Sequence, residues 1–326
     1  MSWSTLRLAC LLGVVPSLVY AAPAVTPLPS YVTQFAPLSH LDSTEVYFPA
    51  DVANHLTHVQ PEEDMSAIAS SVTFSTIGSL SSDVFLTSKD TVEDIQNVAS
   101  WLNGVKPEST GLTSAPATIV AVQKAGGIVD AFYFYFYSYD HATYLGLQFG
   151  DHVGDWEHSM VRFVNGVPQD IYLSAHDGGS AYTYSALPSQ NGRAITYIAN
   201  GTHANYASPG SHQHDLPGLD DQTDAGSIWD VTLNFRGYWF DNSTQTFTVA
   251  SGAGTGGSVE AGEGVGWLNF AGRWGDEQYD LFHEGQYCVT SDECKYVSGP
   301  TGPIAKNLGR TAVCQDESSC TIQTSV

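Results

Sequence analysis

Between residues 116 and 250, short apolar and aromatic runs alternate with Gly, Asn, Asp and Pro at intervals of about ten residues. This pattern is typical of antiparallel strands joined by short turns. We therefore predict a mainly β protein, an antiparallel β-sandwich with a few flanking helices. The predicted strands span residues 117–123, 128–139, 156–163, 170–174, 194–199, 229–235 and 246–249.

Residues 132–137 are alternately Phe and Tyr, which is a period of two. On a strand this period places every Phe on one face and every Tyr on the other. We expect one dry face and one partly polar face, because a tyrosine ring ends in a hydroxyl.

One segment, residues 90–102, has a helical rather than a strand period. Asp90 can cap it, Glu93 lies at the third helical position, and Gly104 can end it. The apolar positions of this predicted helix are Val92, Ile95, Val98, Trp101 and Leu102.

The first residues of the chain predict a secretory signal peptide. Arg7 precedes an apolar run at residues 8–15, and small residues at 19–22 indicate cleavage after Ala21. The run is too short to span a bilayer comfortably, and we expect no transmembrane segment. The predicted organisation is a signal peptide at 1–21, a sandwich domain at 22–285 and a disulfide-held tail at 286–326.

The cysteines agree with a secretory route. Cys10 leaves with the signal, and an even number remains, which predicts two disulfides. Three connectivities are possible, and the close spacings favour two small loops, Cys288 with Cys294 and Cys314 with Cys320. Asn200 and Asn242 lie in N-glycosylation sequons. We expect a glycoprotein that is secreted or reaches the vacuole by the secretory route.

The charge of the chain limits its partners. It has 34 acidic and 11 basic residues, and its formal net charge is −23. Such a surface repels phosphate backbones and attracts cations. We therefore expect no nucleic-acid partner.

The densest group of chemically active side chains lies in residues 151–158, directly after a predicted strand. Asp155 and Glu157 are two residues apart and point to one side of a strand, and His152 can turn to the same side. Carboxylates suit Ca²⁺ or Mg²⁺, and imidazole adds tolerance for Mn²⁺ or Zn²⁺. We predict a shallow divalent-metal site open to water. The alternative is a polar turn whose Trp156 belongs to the core.

Two other histidines, His176 and His203, follow predicted strands. Loops at strand ends meet at one rim of a sandwich, so either histidine could act as a general base or proton donor beside a metal-bound water. The alternative is that both are hydrogen-bonded structural residues. A second acidic loop is either a calcium site or a solvated turn; it contains Asp220, Asp221, Asp224 and Asp230.

At these motifs the sequence resembles the fungal and plant family named after vacuolar protein sorting-associated protein 62. The resemblance extends from about residue 40 to 275, and the family's name implies a role in vacuolar sorting. The matching positions are Tyr47-Phe48-Pro49, Gly154-Asp155-Trp156-Glu157-His158, Ser174-Ala175-His176, Gly201-Thr202-His203-Ala204-Asn205-Tyr206 with Gly210, and Arg273-Trp274-Gly275.

The order of residues 131–140, 152–157 and 174–176 is also similar to that of the necrosis-inducing secreted toxins of plant pathogens. This resemblance implies a β-sandwich that holds a divalent cation and engages lipid head groups. The ligands it implies, by position, are Asp140, His152, Asp155 and Glu157. The sequence departs from the toxin motif at Gly154, where the toxins have a second histidine.

Three functions follow as hypotheses. The leading one is a secreted or vacuolar metal-binding protein that recognises a polar ligand such as a glycan or lipid head group. The second is a metal-dependent hydrolase or lyase for a small molecule, in which His176 or His203 transfers protons. The third is a factor in vacuolar protein sorting in which a metal only holds loops together.

Overall fold

The computed structural model describes residue 1 and residues 25–93, 97–144, 146–213, 218–257, 264–290 and 294–326. The predicted signal peptide, apart from residue 1, lies outside these ranges, and its cleavage stays a prediction. Every helix among the described residues is too short or too polar to span a bilayer.

The strands of the described residues are β1 (Leu38–Leu41), β2 (Val59–Glu63), β3 (Ser66–Ala67), β4 (Phe85–Ser88), β5 (Ala117–Gln123), β6 (Ile128–Tyr144), β7 (Leu147–Val164), β8 (Val167–Ala175), β9 (Gly178–Thr183), β10 (Ser189–Gln190), β11 (Arg193–Ile198), β12 (Asn205–Tyr206), β13 (Gly210–Gln213), β14 (Asp220–Thr223), β15 (Ile228–Trp229), β16 (Phe235–Asp241), β17 (Thr246–Ala253) and β18 (Ile322–Gln323). The α-helices are α1 (Ser30–Gln34), α2 (Val52–His58) and α3 (Phe74–Ile77). Short 3-10 helices lie at Ser100–Asn103, Ala125–Gly127, Tyr184–Ala186, Val231–Leu233, Gly254–Gly257, Gly266–Asn269, Pro303–Ala305 and Glu317–Ser319.

Eight strands form the main sheet, in the order β17-β16-β5-β6-β7-β8-β9-β18. Its neighbours are antiparallel except for the parallel pairs β5–β16 and β9–β18. A smaller sheet, in the order β10-β11-β1-β15 with β12 also paired to β11, packs on one face of the main sheet. The fold is a mainly β sandwich with few helices, as the sequence predicts.

The alternating Phe and Tyr run lies in the middle of β6, and both of its faces are buried. The phenylalanines belong to one hydrophobic core, which also contains Trp156. The tyrosines belong to a second core beneath the smaller sheet. Two tyrosine hydroxyls are hydrogen-bonded inside that core, because Tyr133 donates to the Val32 carbonyl at 2.6 Å and Tyr135 bonds with the Ser159 hydroxyl at 2.8 Å. The polar face is therefore as dry as the other.

The helix predicted over residues 90–102 is wrong for the described part of that segment. Residues 91–93 and 97–99 are not helical, and only the 3-10 helix Ser100–Asn103 forms. The Trp101 indole donates to the Asp90 carboxylate at 2.8 Å and stacks on His58, with 4.7 Å between ring centroids. These tertiary contacts outweigh a local sequence rich in β-branched and polar residues, which favours helix only weakly. Gly104 ends the segment with φ of 62°, as predicted.

The strand predicted over residues 229–235 is also wrong, because the chain divides there into β15, a 3-10 turn and β16. Asp230 causes the interruption. Its carboxylate accepts from the Thr232 amide at 3.0 Å and forms two bonds of 2.7 Å with the Arg193 guanidinium.

Both predicted disulfides, Cys288–Cys294 and Cys314–Cys320, are present in the structure. Residues 294–297 lie beside the beginning of β7. There the Gly150 amide donates to the Cys294 carbonyl at 2.8 Å, and the Val297 amide donates to the Asp151 carbonyl at 3.1 Å. The C-terminal segment thus contacts the main sheet directly, while the domain boundary at residue 285 stays a prediction.

Candidate metal centre and ligand cavity

The end of β6 and the beginning of β7 place Asp140 opposite His152 in antiparallel register. In a regular strand, His152 and Asp155 would point to opposite faces, since they are three residues apart. Gly154 breaks the alternation with φ of 68°, and a Cβ at this position would lie 2.2 Å from the Trp274 carbonyl oxygen. Only glycine fits this conformation and this space without strain. The break allows both side chains to face one cavity.

Three side chains meet there: Asp140, His152 and Asp155 each offer a ligand atom, and these atoms all lie within 4.8 Å of one another. His152 donates from Nδ1 to the Gly154 carbonyl at 2.8 Å, which directs its Nε2 to within 3.7 Å of the Asp140 carboxylate. Burial lowers the pKa of His152, so the ring is neutral and Nε2 keeps its lone pair. This is the tautomer and orientation of a metal-ligating histidine.

Asp155 is held from behind by His203. The His203 ring is fully buried, stacks on Tyr137 with 3.6 Å between centroids, and donates to Asp155 at 3.0 Å and to the Tyr47 carbonyl at 2.9 Å. A carboxylate and a carbonyl both accept hydrogen bonds, so this arrangement favours a ring that is protonated on both nitrogens. Burial opposes that charge, but the contacts with Asp155 and Glu45 outweigh burial and raise the pKa of His203.

The pKa values of the two carboxylates of the cluster shift in opposite directions. Burial disfavours ionisation of Asp155, yet the bond and charge of His203 lower its pKa. Burial raises the pKa of Asp140 well above its ordinary value, and the negative charge of Asp155 raises it further. A divalent cation between them would remove this repulsion. Two carboxylates and a neutral imidazole nitrogen therefore fit such an ion in number, charge and donor type.

Glu157, the fourth predicted ligand, lies in the same cavity but outside the three-residue cluster. Its carboxylate accepts from the Ser174 hydroxyl and, at 3.2 Å, from the His176 amide, both at the end of β8. Burial, followed by the charge of Asp155, raises its pKa to about 7. The structure thus brings together three of the four predicted ligands.

The two predicted proton-transfer histidines occupy different environments. His203 lies beneath the cavity with both nitrogens engaged, which suits the positioning of Asp155. His176 lines the cavity and donates from Nε2 to Asp221 at 2.8 Å. Asp221 also accepts from the Thr202 and Tyr206 hydroxyls, at 2.7 and 2.6 Å.

The second acidic loop is not one cation site among the described residues, because its carboxylates have separate partners. Asp224 accepts from the Ser43 amide at 2.7 Å, and Asp230 binds Arg193 as described above. Burial opposes the charge of Asp221, but the bond from His176 outweighs burial and lowers the pKa of Asp221 to about 2.

The cluster opens into a cavity of about 370 Å³, within the range of small-molecule sites. One wall consists of β6, β7 and the loop after β8. Residues from later in the chain complete the lining, and they include Arg273, Gln278, Lys306 and residues between 297 and 301. Sequence reasoning did not predict a role for Lys306, and it named Arg273 only as part of a family motif.

The two sequons differ in accessibility. Asn242 is exposed in the turn between β16 and β17. Asn200 is half-buried, and its amide donates to the Thr44 hydroxyl at 2.7 Å. Glycosylation at either position stays a prediction.

Fold and site together define a β-sandwich protein with an acidic, histidine-containing cavity. The family model described as vacuolar protein sorting-associated protein 62 matches residues 142–287. The chain is 38% identical to putative vacuolar protein sorting-associated protein TDA6 of Saccharomyces cerevisiae, over 88% of this chain and 68% of that protein. It is 37% identical, with the same coverage, to vacuolar protein sorting-associated protein 62 of that yeast. The chain belongs to the Vps62 family.

Solved structures give weaker likenesses. Necrosis and ethylene inducing protein 2, from the causal agent of witches' broom disease of cocoa, is 16% identical with a TM-score of 0.32, over 61% of this chain and 76% of that one. The non-toxic HaNLP3 protein is 13% identical with a TM-score of 0.32, over 68% and 80%. Scores this low support no inference about function.

Proposed function

We propose that this Vps62-family protein binds a divalent cation through Asp140, His152 and Asp155, and uses it to recognise a polar ligand such as a glycan or lipid head group. The observation that carries the proposal is the convergence of three ligand atoms within 4.8 Å on the wall of a cavity. Ca²⁺ and Mg²⁺ suit the carboxylates, and Mn²⁺ and Zn²⁺ remain candidates because one ligand is imidazole.

Each residue has a distinct task in this proposal. Asp140 and Asp155 supply negative charge, and His152 supplies a nitrogen whose direction is fixed by the Gly154 carbonyl. His203 holds one Asp155 oxygen, so that carboxylate cannot rotate freely. Three protein ligands leave coordination positions open, and a bound cation would offer them to hydroxyl oxygens of a ligand.

Calorimetric titration with Ca²⁺, Mg²⁺ and Mn²⁺ tests the proposal. Asp140→Asn keeps the shape of the side chain but removes its charge, so we expect cation affinity to fall at least about tenfold. Asp177→Asn is the matched control, because Asp177 is an exposed carboxylate of the same cavity outside the cluster. Equal affinities in wild type and Asp140→Asn would refute the metal site.

A second candidate function is metal-assisted hydrolysis or elimination on a small molecule. The observation that favours it is the His176–Asp221 pair, which points a titratable imidazole into the cavity beside the cluster. Turnover that is unaffected by His176→Gln would contradict this candidate.

The names of the two yeast relatives favour a place in vacuolar protein sorting. We therefore propose that the protein follows the secretory route to the vacuole or the cell exterior. Microscopy of a fusion with and without residues 1–21 tests this location, and identical cytosolic signals from both would contradict it.

A further inference from the structure

The side chains that line the cavity carry both charges. Asp140, Asp155 and Glu157 form its acidic wall, and Lys306 and Arg273 form its basic wall. Lys306 is partly buried and Arg273 is exposed. In the described part of the chain, neither side chain forms an ion pair or a hydrogen bond with the protein.

Backbone contacts fix the position of the basic wall. Arg273 pairs with Thr301 in an antiparallel bridge, and the Trp274 amide donates to the Pro300 carbonyl at 2.8 Å. A Cβ on Gly302 would lie 2.3 Å from the Trp274 indole nitrogen, so the chain here packs directly against that ring. The 3-10 helix Pro303–Ala305 follows and presents Lys306 to the cavity.

The charge of Lys306 acts on Asp155 and Glu157 through space, but the ammonium makes no direct ion pair or hydrogen bond with either carboxylate. Its charge opposes that of a cation bound to the cluster. An anionic group on a ligand would pair with both the Lys306 ammonium and the Arg273 guanidinium. Ammonium and guanidinium groups bind phosphate and carboxylate strongly where water is partly excluded.

We propose that the ligand is an anionic saccharide, a sugar that carries a phosphate or carboxylate, and that Lys306 and Arg273 select the anionic group while sugar hydroxyls face the Asp140–His152–Asp155 cluster. This inference rests on the proposed function and names its ligand class. It makes Lys306 a specificity-determining residue.

The test uses glucose, glucose 6-phosphate and glucuronate, which differ only at carbon 6. Binding is measured by calorimetry with Mn²⁺ and again with a chelator. Wild type is expected to bind the two anionic sugars about tenfold or more tightly than glucose, and Lys306→Gln is expected to lose this preference. Lys89→Gln, at an exposed position outside the cavity, is the control and keeps it.

Cation affinity, measured separately, distinguishes the two proposals. We expect Lys306→Gln to bind Mn²⁺ as tightly as wild type or more tightly, because a repelling charge is gone. If this variant keeps the preference for anionic sugars, Lys306 does not select the anionic group, and the inference is overturned. If wild type does not bind Mn²⁺, the proposed function itself is overturned.

The same binding measurement is repeated with two polymers, polyglucuronate and dextran. Comparison with the single sugars shows whether the anionic group belongs to a glycan or to a free sugar. A preference for the anionic sugar or polymer that depends on Lys306 supports the inference. Whether this preference occurs with the single sugars or with the polymers identifies the source of the anionic group. Absence of a preference for the anionic partner among both the single sugars and the polymers overturns the inference.

Discussion

At the scale of single residues, the buried carboxyl group of Asp276 lowers the stability of the folded protein when it ionises. One oxygen of its side chain accepts from the Ser88 amide at 3.3 Å. Only 8% of the residue is exposed, and this burial raises its pKa to about 7. In the unfolded chain the same group ionises near pH 4.

The difference between the two pKa values predicts a pH-dependent stability. Between about pH 4 and pH 7 the unfolded chain loses this proton more easily than the folded protein, so the contribution of Asp276 to the free energy of unfolding falls as pH rises and is constant above about pH 7. Asp276→Asn cannot ionise, and we expect it to be more stable than wild type above pH 7 by roughly 2–4 kcal/mol. The two proteins should converge near pH 4.

Urea unfolding of both proteins from pH 4 to pH 8 checks this expectation. Asp83→Asn, at an exposed aspartate, serves as the control and should follow wild type at every pH. A constant difference between Asp276→Asn and wild type across the range would contradict the explanation.

At the scale of elements, the β6–β7 hairpin contributes to both hydrophobic cores and also carries the cluster. Gly154 lets it do both, since the positive φ turns Asp155 toward His152. It is also the position at which the sequence departs from the toxin motif, and the Trp274 carbonyl leaves no space there for any side chain.

Two glycines of β7 form a matched pair for testing this role. Gly154 and Gly150 both have positive φ, 68° and 71°, but a Cβ on Gly150 meets nothing within 4 Å. We expect Gly150→Ala to cost about 1 kcal/mol from backbone strain alone. Gly154→Ala should cost about 2 kcal/mol or more and weaken cation binding, because the Trp274 backbone must move.

Thermal unfolding and Mn²⁺ titration of both variants provide the comparison. Equal losses of stability, with cation affinity intact in Gly154→Ala, would show that the close approach of Gly154 to Trp274 does not hold the cluster together.

At the scale of the whole molecule, the C-terminal segment completes the cavity. The Cys288–Cys294 disulfide precedes the residues that pair with β7 directly before His152, whereas the Cys314–Cys320 disulfide closes a loop elsewhere. The two loops have the same sequence separation, six residues, so chain entropy alone predicts similar effects on stability.

Replacing each pair by serine separates stability from site geometry. We expect both double variants to lose about 2–3 kcal/mol of unfolding free energy. Only Cys288→Ser with Cys294→Ser should also weaken Mn²⁺ binding several-fold, since its loop supports the strand that bears His152. Equal cation affinities in the two double variants would contradict this coupling.

Much of the main sheet could be predicted from the sequence, because a period of two is a local property of its long strands. Strand 117–123 has its predicted bounds. The smaller sheet is built from pieces as short as two residues, such as β12 and β15, which carry no period. The helix predicted over 90–102 failed because the contacts of Trp101 with Asp90 and His58 are not local.

The candidate site divides in the same way. Residues 151–158 concentrate acidic and imidazole groups, so His152 and Asp155 could be predicted from the sequence itself, whereas Asp140 was predicted only through the resemblance to the toxins. Lys306 is an isolated lysine far along the chain, and its place in the cavity depends on the contacts of Trp274 and Thr301. Nothing in the sequence near it indicates that arrangement.

The alternating aromatic strand has a consequence for how the chain finds its alignment. Phenylalanine and tyrosine have nearly the same shape, so sliding β6 by one position would exchange the rings of residues 132–137 between the two cores with little change in the volume they fill. Such a slide would break two hydrogen bonds, because the Tyr133 and Tyr135 hydroxyls would move to the other core, away from the Val32 carbonyl and the Ser159 hydroxyl. Within residues 132–137, a few oxygen atoms rather than the bulk of the rings therefore distinguish the observed alignment from the shifted one.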